Sequence, residues 1–283
     1  MKSRYLIAML MLFFITSVSA QNKKLLILHT NDTHSTVMPL KSTVLNKELA
    51  DRGGFVRRIA YLQEERKANP DLLLFDSGDF CQGSPFYTMF KGEVEVGLMN
   101  MMKYDAGVIG NHEFDNGLDV MAKMFRTLNF PIVCANYDFT GTVVEGLVKP
   151  YVVIERDGVK IGVFGLSPKM EGLVSAKNCE GVKFLDPVEA AQKATDDLRN
   201  KEKCDIVICL SHMGWEEDGA EDELEDPYIM SKTKGIDLFL GGHTHTYMDE
   251  IQYSENLDGE KIPNDQNGKH GVYIGRIELE LEK

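Results

Sequence analysis

The residues best suited to chemistry lie in five short clusters along the chain. Each cluster directly follows a short apolar segment of the kind that forms a buried strand. The clusters are Asp32 with His34, then Asp79, then Asn111 through Asp115, then His212, and finally His243 with His245. Because the ligand crevice of an α/β sheet lies beyond the carboxyl ends of its strands, we expect all five clusters to meet at one site.

The ligand types in these clusters indicate which metals they suit. Three Asp or Asn oxygens and four imidazoles suit Zn²⁺, Mn²⁺, Co²⁺ or iron and are too rich in nitrogen for Ca²⁺. Seven side chains are too many for one ion, but one shared carboxylate lets them supply four ligands to each of two ions. The i, i+2 spacing of Asp32/His34 and of His243/His245 places each pair on one side of an extended segment. The pattern predicts a two-metal hydrolytic site.

Taken alone, each of these residues is more often a turn or core residue than a ligand. The prediction therefore rests on five suitable clusters at five predicted strand ends. His29 falls inside a predicted strand, where a core or supporting position is expected, and His270 lies in a polar loop outside the pattern. Ser77 and Ser211 are interpreted as turn residues, because neither has the neighbours of a nucleophilic triad.

Composition narrows the class of protein further. The chain has 283 residues, a formal charge of −13, 43% apolar and 27% charged residues, which is typical of a globular protein. The excess of acids argues against nucleic-acid polymers as partners.

Eight of the eleven residues from Glu216 to Asp226 are acidic, which predicts a solvated loop, with a regulatory cation site as the weaker interpretation. The five cysteines form no C-x-x-C pair, so few or no disulfides are expected.

The first twenty residues predict a signal peptide that is removed from the mature protein. Lys2 and Arg4 precede an apolar run of ten residues, Leu6 to Ile15, and Val18-Ser-Ala20 resembles a cleavage sequence. The run is too short to span a bilayer, and no later segment has the roughly 20 apolar residues required. We therefore expect a periplasmic or secreted protein that begins near Gln21, just after Ala20, without membrane contact after cleavage.

Short apolar runs alternate with amphipathic segments through most of the chain. The predicted strands are Leu25–Leu28, Leu72–Phe75, Ala106–Ile109, Ile132–Ala135, Ile206–Leu210 and Ile236–Leu240. The predicted helices are Phe55–Leu62, Leu118–Leu128 and Pro187–Leu198, the last with Asp186 as its N-cap. Asp157-Gly158 predicts a hairpin within Tyr151–Phe164, and alternation over Val272–Leu281 predicts a long antiparallel strand. Parallel and antiparallel pairs together indicate an α/β sandwich of two mixed sheets with helices outside.

The order of the clusters resembles the calcineurin-like metallophosphoesterase superfamily. The series is D-x-H, G-D, G-N-H-E-x-x-D, S-H and G-G-H-T-H. Three longer segments are similar to the sequences of the 5′-nucleotidase and UDP-sugar hydrolase branch of that family: Leu28 to Ser35, Gly78 to Pro85 and Lys91 to Gly117. The resemblance covers nearly all of the chain after the predicted signal peptide. It implies a four-layer α/β/β/α metallophosphatase fold, in one metallophosphoesterase domain over residues 21–283.

The resemblance also implies roles for individual residues. The first metal ion would be held by Asp32, His34 and His245. The second would be held by Asn111, His212 and His243, with Asp79 bridging the two ions. The family's catalytic pair corresponds to His112 and Asp115, the acid placed to orient the imidazole. The two cofactors would be divalent ions such as Zn²⁺, Mn²⁺, Co²⁺ or iron.

The expected function is hydrolysis of a small-molecule phosphate ester, with a nucleoside 5′-monophosphate as the leading substrate. A 2′,3′-cyclic nucleotide or a UDP-sugar is the alternative within the same chemistry, because the metal centre does not separate these substrates strongly. Longer members of the branch carry a C-terminal nucleotide-recognition domain, which this sequence is expected to lack. A different kind of function is therefore also considered. This chain would be the catalytic half of a two-chain assembly, and a separate partner chain would carry the recognition domain.

Overall fold

The computed structural model describes residues 23–44, 46–215 and 224–281. The predicted signal peptide and most of the acidic segment lie outside the described residues. The strands are β1 Lys23–Thr30, β2 Leu73–Asp76, β3 Ala106–Val108, β4 Ile132–Val133, β5 Tyr137–Asp138, β6 Val148–Lys149, β7 Tyr151–Arg156, β8 Val159–Leu166, β9 Lys183–Phe184, β10 Ile206–Ser211, β11 Leu238–Leu240, β12 Gln252–Glu255, β13 Lys261–Asp265 and β14 Gly275–Leu281. The α-helices are α1 Phe55–Ala68, α2 Pro85–Phe90, α3 Glu93–Met102, α4 Gly117–Thr127, α5 Pro187–Asp196 and α6 Asp226–Lys232. Short 3₁₀ turns occupy Lys47–Leu49, His112–Phe114 and Ala176–Asn178.

The first sheet has six strands in the order β14-β1-β2-β3-β4-β6. Strands β1, β2, β3, β4 and β6 run parallel, and β14 pairs antiparallel with β1. Because β1, β2 and β3 are parallel neighbours, the segments that follow them leave the sheet at one edge. This edge carries the first three predicted clusters.

The second sheet also has six strands, in the order β12-β13-β11-β10-β8-β7. Its four central strands are parallel, and β7 and β12 close the edges as antiparallel strands. The two remaining predicted clusters follow β10 and β11, which are adjacent. A separate two-stranded ladder joins β5 to β9.

Three hydrophobic cores separate four layers. Alternate residues of a strand face opposite sides, so Phe75 of β2 and Ile208 of β10 meet in the core between the sheets. Leu74 points the other way, into the core with α1, α3 and α4. Val207 points into the third core, with α5 and α6. The predicted four-layer α/β/β/α sandwich of two mixed sheets is confirmed.

The predicted helices and hairpin are present with modified ends. Helix α1 continues past Leu62 to Ala68, and the third predicted helix is α5 followed by a π-helical turn at Asp197–Lys201. Asp186 caps α5 by accepting hydrogen bonds from the backbone N–H groups of residues 188 and 189, both at 2.9 Å. Asp157 and Gly158 have φ values of 49° and 65°, as a two-residue hairpin turn requires.

The C-terminal strand is shorter than predicted, because it begins at Gly275 instead of Val272. Residues 272–274 instead line a cavity beside α1, together with Arg57 and Tyr61. The five cysteines, all within the described residues, are free. Among the described residues, no helix has the length and apolar character needed to cross a bilayer.

Candidate metal centre

The structure brings the five predicted clusters together between the carboxyl edges of the two sheets. Their side chains form three overlapping groups, in each of which the ligand atoms lie within 4.8 Å of one another. The groups are Asp32 with His34 and His245, His34 with Asp79 and His112, and Asp79 with His212 and His243. Asp79 belongs to two groups, which is the geometry expected of a bridging carboxylate.

The first group is compact. Nε2 of His34 and Nε2 of His245 are 2.9 Å apart, and Oδ1 of Asp32 lies 3.5 Å from the His245 nitrogen and 3.8 Å from the His34 nitrogen. Asp32 is fully buried and His34 is 6% exposed. Two nitrogen lone pairs and one carboxylate oxygen thus face a common point.

The second group is centred on Asp79. Its Oδ2 lies 3.1 Å from Nε2 of His212, and His212 is fully buried. Asn111, which follows β3, is 8% exposed, and its side-chain carbonyl oxygen has no hydrogen-bond partner among the described residues. An unpartnered buried carbonyl oxygen is costly, and a cation would satisfy it.

Five of the seven predicted ligands have left-handed backbone conformations, in which a side chain is strained. The φ values are 46° for Asp32, 42° for His34, 54° for Asp79, 80° for His243 and 59° for His245. Strain of this kind persists only where the surrounding structure holds it, and it clusters at functional sites. The strained backbone at these five residues therefore costs folding free energy, and it directs their side chains into the site.

Glycines allow the backbone to approach these ligands closely. A Cβ added at Gly110 would overlap Oδ1 of Asp79 and lie 2.6 Å from its backbone nitrogen. At Gly78 and at Gly242, a Cβ would lie within 3 Å of Nδ1 of His212. Gly110 has no positive φ, so the requirement for glycine there comes from the contact with Asp79 and not from a special turn conformation.

The carboxylate of Glu113 holds the loops after β2 and β3 together. It accepts hydrogen bonds from the backbone N–H of Asp79 at 3.1 Å, of Cys81 at 3.1 Å and of Gly110 at 2.6 Å. Glu113 is 1% exposed, and burial raises its pKa to about 7. No role was predicted for Glu113 from the sequence, although it lies between the two predicted catalytic residues, His112 and Asp115.

Hydrogen bonds outside the ligand set orient the ligands themselves. Nδ1 of His212 lies 2.6 Å from the carbonyl oxygen of Ser77, and donation to that oxygen leaves Nε2 as the lone-pair atom. Asn31 donates to Oδ2 of Asp32 at 2.7 Å and to the carbonyl of Gly268 at 2.8 Å. These contacts are the supporting shell that a metal site needs.

Burial sets the protonation of three imidazoles in the site. It lowers the pKa of His34 to about 3 and the pKa values of His243 and His245 to about 4. These rings are neutral at neutral pH, which is the form that binds a metal ion.

His212 behaves differently because it lies between two carboxylates. Burial lowers its pKa, but the attraction of Asp79 and Asp32 outweighs burial and raises it to about 10. Burial raises the pKa of Asp32 to about 7. For Asp79 burial acts the same way, but the attraction of His212 outweighs it and holds that pKa below its usual range. Two carboxylates, Asp32 and Asp79, thus lie beside the single imidazolium of His212, and a divalent ion would replace the proton of His212.

The residues present fit two divalent ions. The first group offers the ligands predicted for one ion, and Asp79, His212, His243 and Asn111 offer those predicted for the other. The donor set mixes oxygen with nitrogen, as borderline metals such as Zn²⁺ or Mn²⁺ prefer. The assignment of each ligand to an ion stays a prediction.

His112 and Asp115 lie at the open side of the site. Nδ1 of His112 is 2.9 Å from Oδ2 of Asp115, and the two side chains are 30% and 34% exposed. Burial lowers the pKa of His112, but the hydrogen bond to Asp115 and the charge of Asp79 outweigh burial and raise it. The ring of His112 is 5.3 Å from that of His34, so an exposed, orientated imidazole stands beside the first group.

Two histidines outside the predicted set differ in their position. His29 is fully buried, with Nε2 2.8 Å from Oδ2 of Asp265, so the expectation of a core position is confirmed. His270, predicted to lie in a polar loop outside the ligand pattern, belongs to none of the three ligand groups, but it lies close to the first of them. Its ring is 6.0 Å from the ring of His34, and its backbone N–H donates to the carbonyl of Asp32 at 2.7 Å.

The acidic segment ends in a buried residue. Residues 216–223 lie outside the described residues, but Asp226 is fully buried at the start of α6. Its carboxylate accepts hydrogen bonds from the hydroxyl of Ser211 and from Nδ2 of Asn264. The prediction of a solvated loop is therefore wrong for Asp226, because the interior supplies donors to it.

Comparison with known proteins places this geometry in a family. Residues 25–247 match the family model for calcineurin-like phosphoesterases. The chain belongs to that family. Its members are phosphate-ester hydrolases that use two divalent metals, in agreement with the predicted cofactors.

Individual relatives agree with this membership. The chain is 32% identical to the 5′-nucleotidase of Rattus norvegicus, over 93% of this chain and 47% of that protein. It resembles the crystal structure of a 5′-nucleotidase precursor from Thermus thermophilus, with a TM-score of 0.79 and 27% identity over 91% of this chain and 51% of that one. For the calcineurin-like phosphoesterase YfkN from Bacillus subtilis, the TM-score is 0.77 and the identity 31%, over 93% and 86% of the two chains. This chain spans about half the length of the curated 5′-nucleotidases it matches.

Proposed function

We propose that this chain is a metal-dependent phosphoesterase whose substrates are small phosphate monoesters, nucleoside 5′-monophosphates above all. One observation supports the reaction type most strongly. The paired imidazole of His112, held by Asp115, stands next to a group of buried carboxylates and imidazoles that suits two cations. That combination provides both a cation site for the phosphoryl group and a proton donor for the leaving group.

The metal ligands in this proposal are the seven residues predicted from the sequence, and the closeness of Asp32, His34 and His245 and of Asp79, His212 and His243 supports it. Asp32, His34 and His245 would hold the first ion. Asn111, His212 and His243 would hold the second, and Asp79 would contribute to both. When bound, two divalent cations supply Lewis-acid activation and neutralise charge on the phosphoryl group.

The chain's own residues then handle the proton. Asp115 accepts the Nδ1 proton of His112 in a hydrogen bond, so Nε2 is the nitrogen that faces a substrate. A water oxygen forms the new bond to phosphorus while the bond to the ester oxygen breaks. His112 donates its proton to that departing oxygen, and the products are a free alcohol and inorganic phosphate.

The names of the relatives support the choice of substrate. The relatives at 31–32% identity include 5′-nucleotidases from mammals and from snake venom.

We also propose that residues 1–20 are a signal peptide and that the protein works outside the cytoplasm, on the evidence of the basic start and ten-residue apolar run. Residues 21–283 are proposed to act as a single metallophosphoesterase domain.

A substrate panel tests the proposal. The purified chain, loaded in turn with Zn²⁺, Mn²⁺ and Co²⁺, should release phosphate from AMP and other nucleoside monophosphates, and chelation should abolish the release. A higher kcat/KM for a 2′,3′-cyclic nucleotide or a UDP-sugar would replace the proposed substrate with that compound. Activity that appears only on adding a separate domain of a longer relative would favour the two-chain assembly instead. Full activity after complete metal removal would contradict the proposal.

A further inference from the structure

A cavity of about 700 Å³ opens directly beside the proposed catalytic pair. One wall is the segment from Gln82 to Lys91, which includes α2, and the other is Asp115 with Asn116. This volume lies within the range of small-molecule sites. No residue predicted from the sequence as ligand or catalyst lies in it except Asp115, so the metal centre does not account for it.

The position of the cavity fixes what can enter it. Asp115 both lines the cavity and holds His112, the group proposed to protonate the departing oxygen. The part of the substrate attached to that oxygen must lie on the His112 side of the phosphoryl group. The cavity adjoins the catalytic pair on its Asp115 side and is lined by no predicted metal ligand, so it is placed for the outer part of a leaving group and not for the phosphate.

The lining carries polar side-chain groups that have no hydrogen-bond partner among the described residues. The side chains of Gln82 and Lys91 are exposed and form no hydrogen bond or ion pair among the described residues. The hydroxyl of Tyr87 is buried beside Asn116 and makes no well-aligned hydrogen bond within the described part of the chain. These groups can donate to hydroxyl or ring oxygens.

The same lining is poorly suited to a nucleobase. Tyr87 is the only aromatic residue among the lining residues, and it is 5% exposed, so its ring presents no face for stacking. Base recognition by stacking needs an accessible aromatic face. Donors without a stacking surface favour a compact ring that carries several hydroxyl groups.

We propose that the cavity between residues 82–91 and Asp115–Asn116 is the leaving-group subsite and binds the pentose of a sugar phosphate, with Gln82 and Lys91 as specificity-determining residues. This inference rests on the proposed phosphomonoesterase function and specifies which part of the substrate the chain itself recognises. It follows that the chain makes contacts to the pentose and does not discriminate between nucleobases. Adenosine, cytidine and guanosine monophosphates should thus have similar kcat/KM values, close to that of ribose 5-phosphate.

The test compares two substrates that share a phosphate and differ in hydroxyl groups. Gln82→Ala should raise KM for ribose 5-phosphate about three- to tenfold, the value of one neutral hydrogen bond, and Lys91→Met, which removes a charged donor, should raise it about tenfold or more. KM for p-nitrophenyl phosphate, which has no hydroxyl groups, should change less than about twofold on the same scale. The Kd of a non-hydrolysable phosphonate analogue of ribose 5-phosphate should rise in parallel with KM. Gln252→Ala on β12 and Lys149→Met on β6 are matched controls outside the cavity and should change neither substrate.

The outcomes separate this inference from the function on which it rests. Equal changes for both substrates, or none for ribose 5-phosphate, would show that the cavity does not bind the sugar, even if AMP is hydrolysed. Selective loss with ribose 5-phosphate but no hydrolysis of any nucleotide would support the subsite and disprove the nucleotidase proposal. A strong preference for one base in the unmodified chain would overturn the inference, because the cavity offers nothing that distinguishes bases.

Discussion

The buried carboxylate of Glu113 accepts a hydrogen bond from the backbone N–H of Asp79 at 3.1 Å, and so fixes the loop that carries the proposed bridging ligand. The same carboxylate accepts from Gly110, which precedes the proposed ligand Asn111. One side chain thus sets the spacing between two loops from neighbouring strands. Its three donors are all backbone N–H groups, which only a group with two acceptor oxygens can satisfy.

Glu113→Gln should weaken the site without touching a ligand. The amide replaces one acceptor oxygen with an NH₂ group that faces backbone N–H donors, so at least one bond is lost and one contact becomes repulsive. We expect a loss of roughly 1–3 kcal/mol in the free energy of unfolding and weaker metal binding, measured by thermal unfolding and by metal titration. Glu189→Gln, on the exposed side of α5, is the matched control. Unchanged metal affinity would show that Glu113 is only a structural residue.

The geometry predicts two metal ions for each chain. Metal analysis after equilibrium dialysis should give two ions for the unmodified protein. His243→Ala should give about one, because it removes a ligand from a single group. Asp79→Ala should lower occupancy at both sites, because Asp79 lies in one group with His212 and His243 and in another with His34, a predicted ligand of the first ion. An Asp79→Ala variant that retains one tightly bound ion would contradict the bridging role.

His112 and Asp115 should act in catalysis and not in metal binding. His112→Asn removes the proton donor and should lower kcat about 10²–10⁴-fold, the typical value for a general acid. Its metal content should remain that of the unmodified protein. Asp115→Asn should cause a smaller fall in kcat, since the imidazole stays in place but loses its orienting partner. Loss of metal from His112→Asn would identify it as a ligand, which its closeness to Asp79 and His34 makes the competing assignment.

The sequence was sufficient to predict the fold and the meeting of the five clusters, since both depend on local patterns. Short apolar runs mark parallel strands, and polar residues after them must lie at one sheet edge. His270 could not be placed in this way. Its position beside His34 depends on β14 pairing with β1 at the other end of the chain, so the preceding loop returns over the site. No local signal records that pairing.

The burial of two acidic residues could not be predicted from the sequence either. Glu113 and Asp226 have no apolar pattern around them that indicates burial, and Asp226 ends an acidic run that is typical of a solvated loop. Both are buried because the fold brings donors to them from other segments: three backbone N–H groups for Glu113, and Ser211 and Asn264 for Asp226. Such satisfaction is a property of the tertiary structure.

Gly110→Ala should damage the site through a steric contact alone. The new methyl group would overlap Oδ1 of Asp79, so either the loop or the carboxylate must move. We expect a destabilisation of roughly 1–3 kcal/mol and a loss of bound metal. Gly97→Ala in α3 is the control, because a Cβ there meets no atom within 4 Å, and it should stabilise the helix by roughly 0.5–1 kcal/mol. Normal metal content in Gly110→Ala would show that the loop has more room than the contact distances indicate.

Asp226 should make the protein less stable as the pH rises toward neutrality. Burial raises its pKa to about 7, although hydrogen bonds from Ser211 and Asn264 act against burial. Between about pH 4, where an unfolded Asp titrates, and pH 7, the folded state holds a proton that the unfolded state has lost. The stability that this group contributes is therefore complete below pH 4 and lost as the pH rises through 7.

Asp226→Asn tests that sign, because an amide stays neutral at every pH. Its carbonyl oxygen can accept from Ser211, and its NH₂ can donate to the side-chain oxygen of Asn264, which has no partner among the described residues. Urea unfolding at a series of pH values should show the two proteins close in stability near pH 4 and the variant more stable at pH 8. The gain should be on the order of a few kcal/mol. A variant less stable than the unmodified protein at pH 8 would mean that the charged carboxylate is better satisfied by its donors than its burial implies.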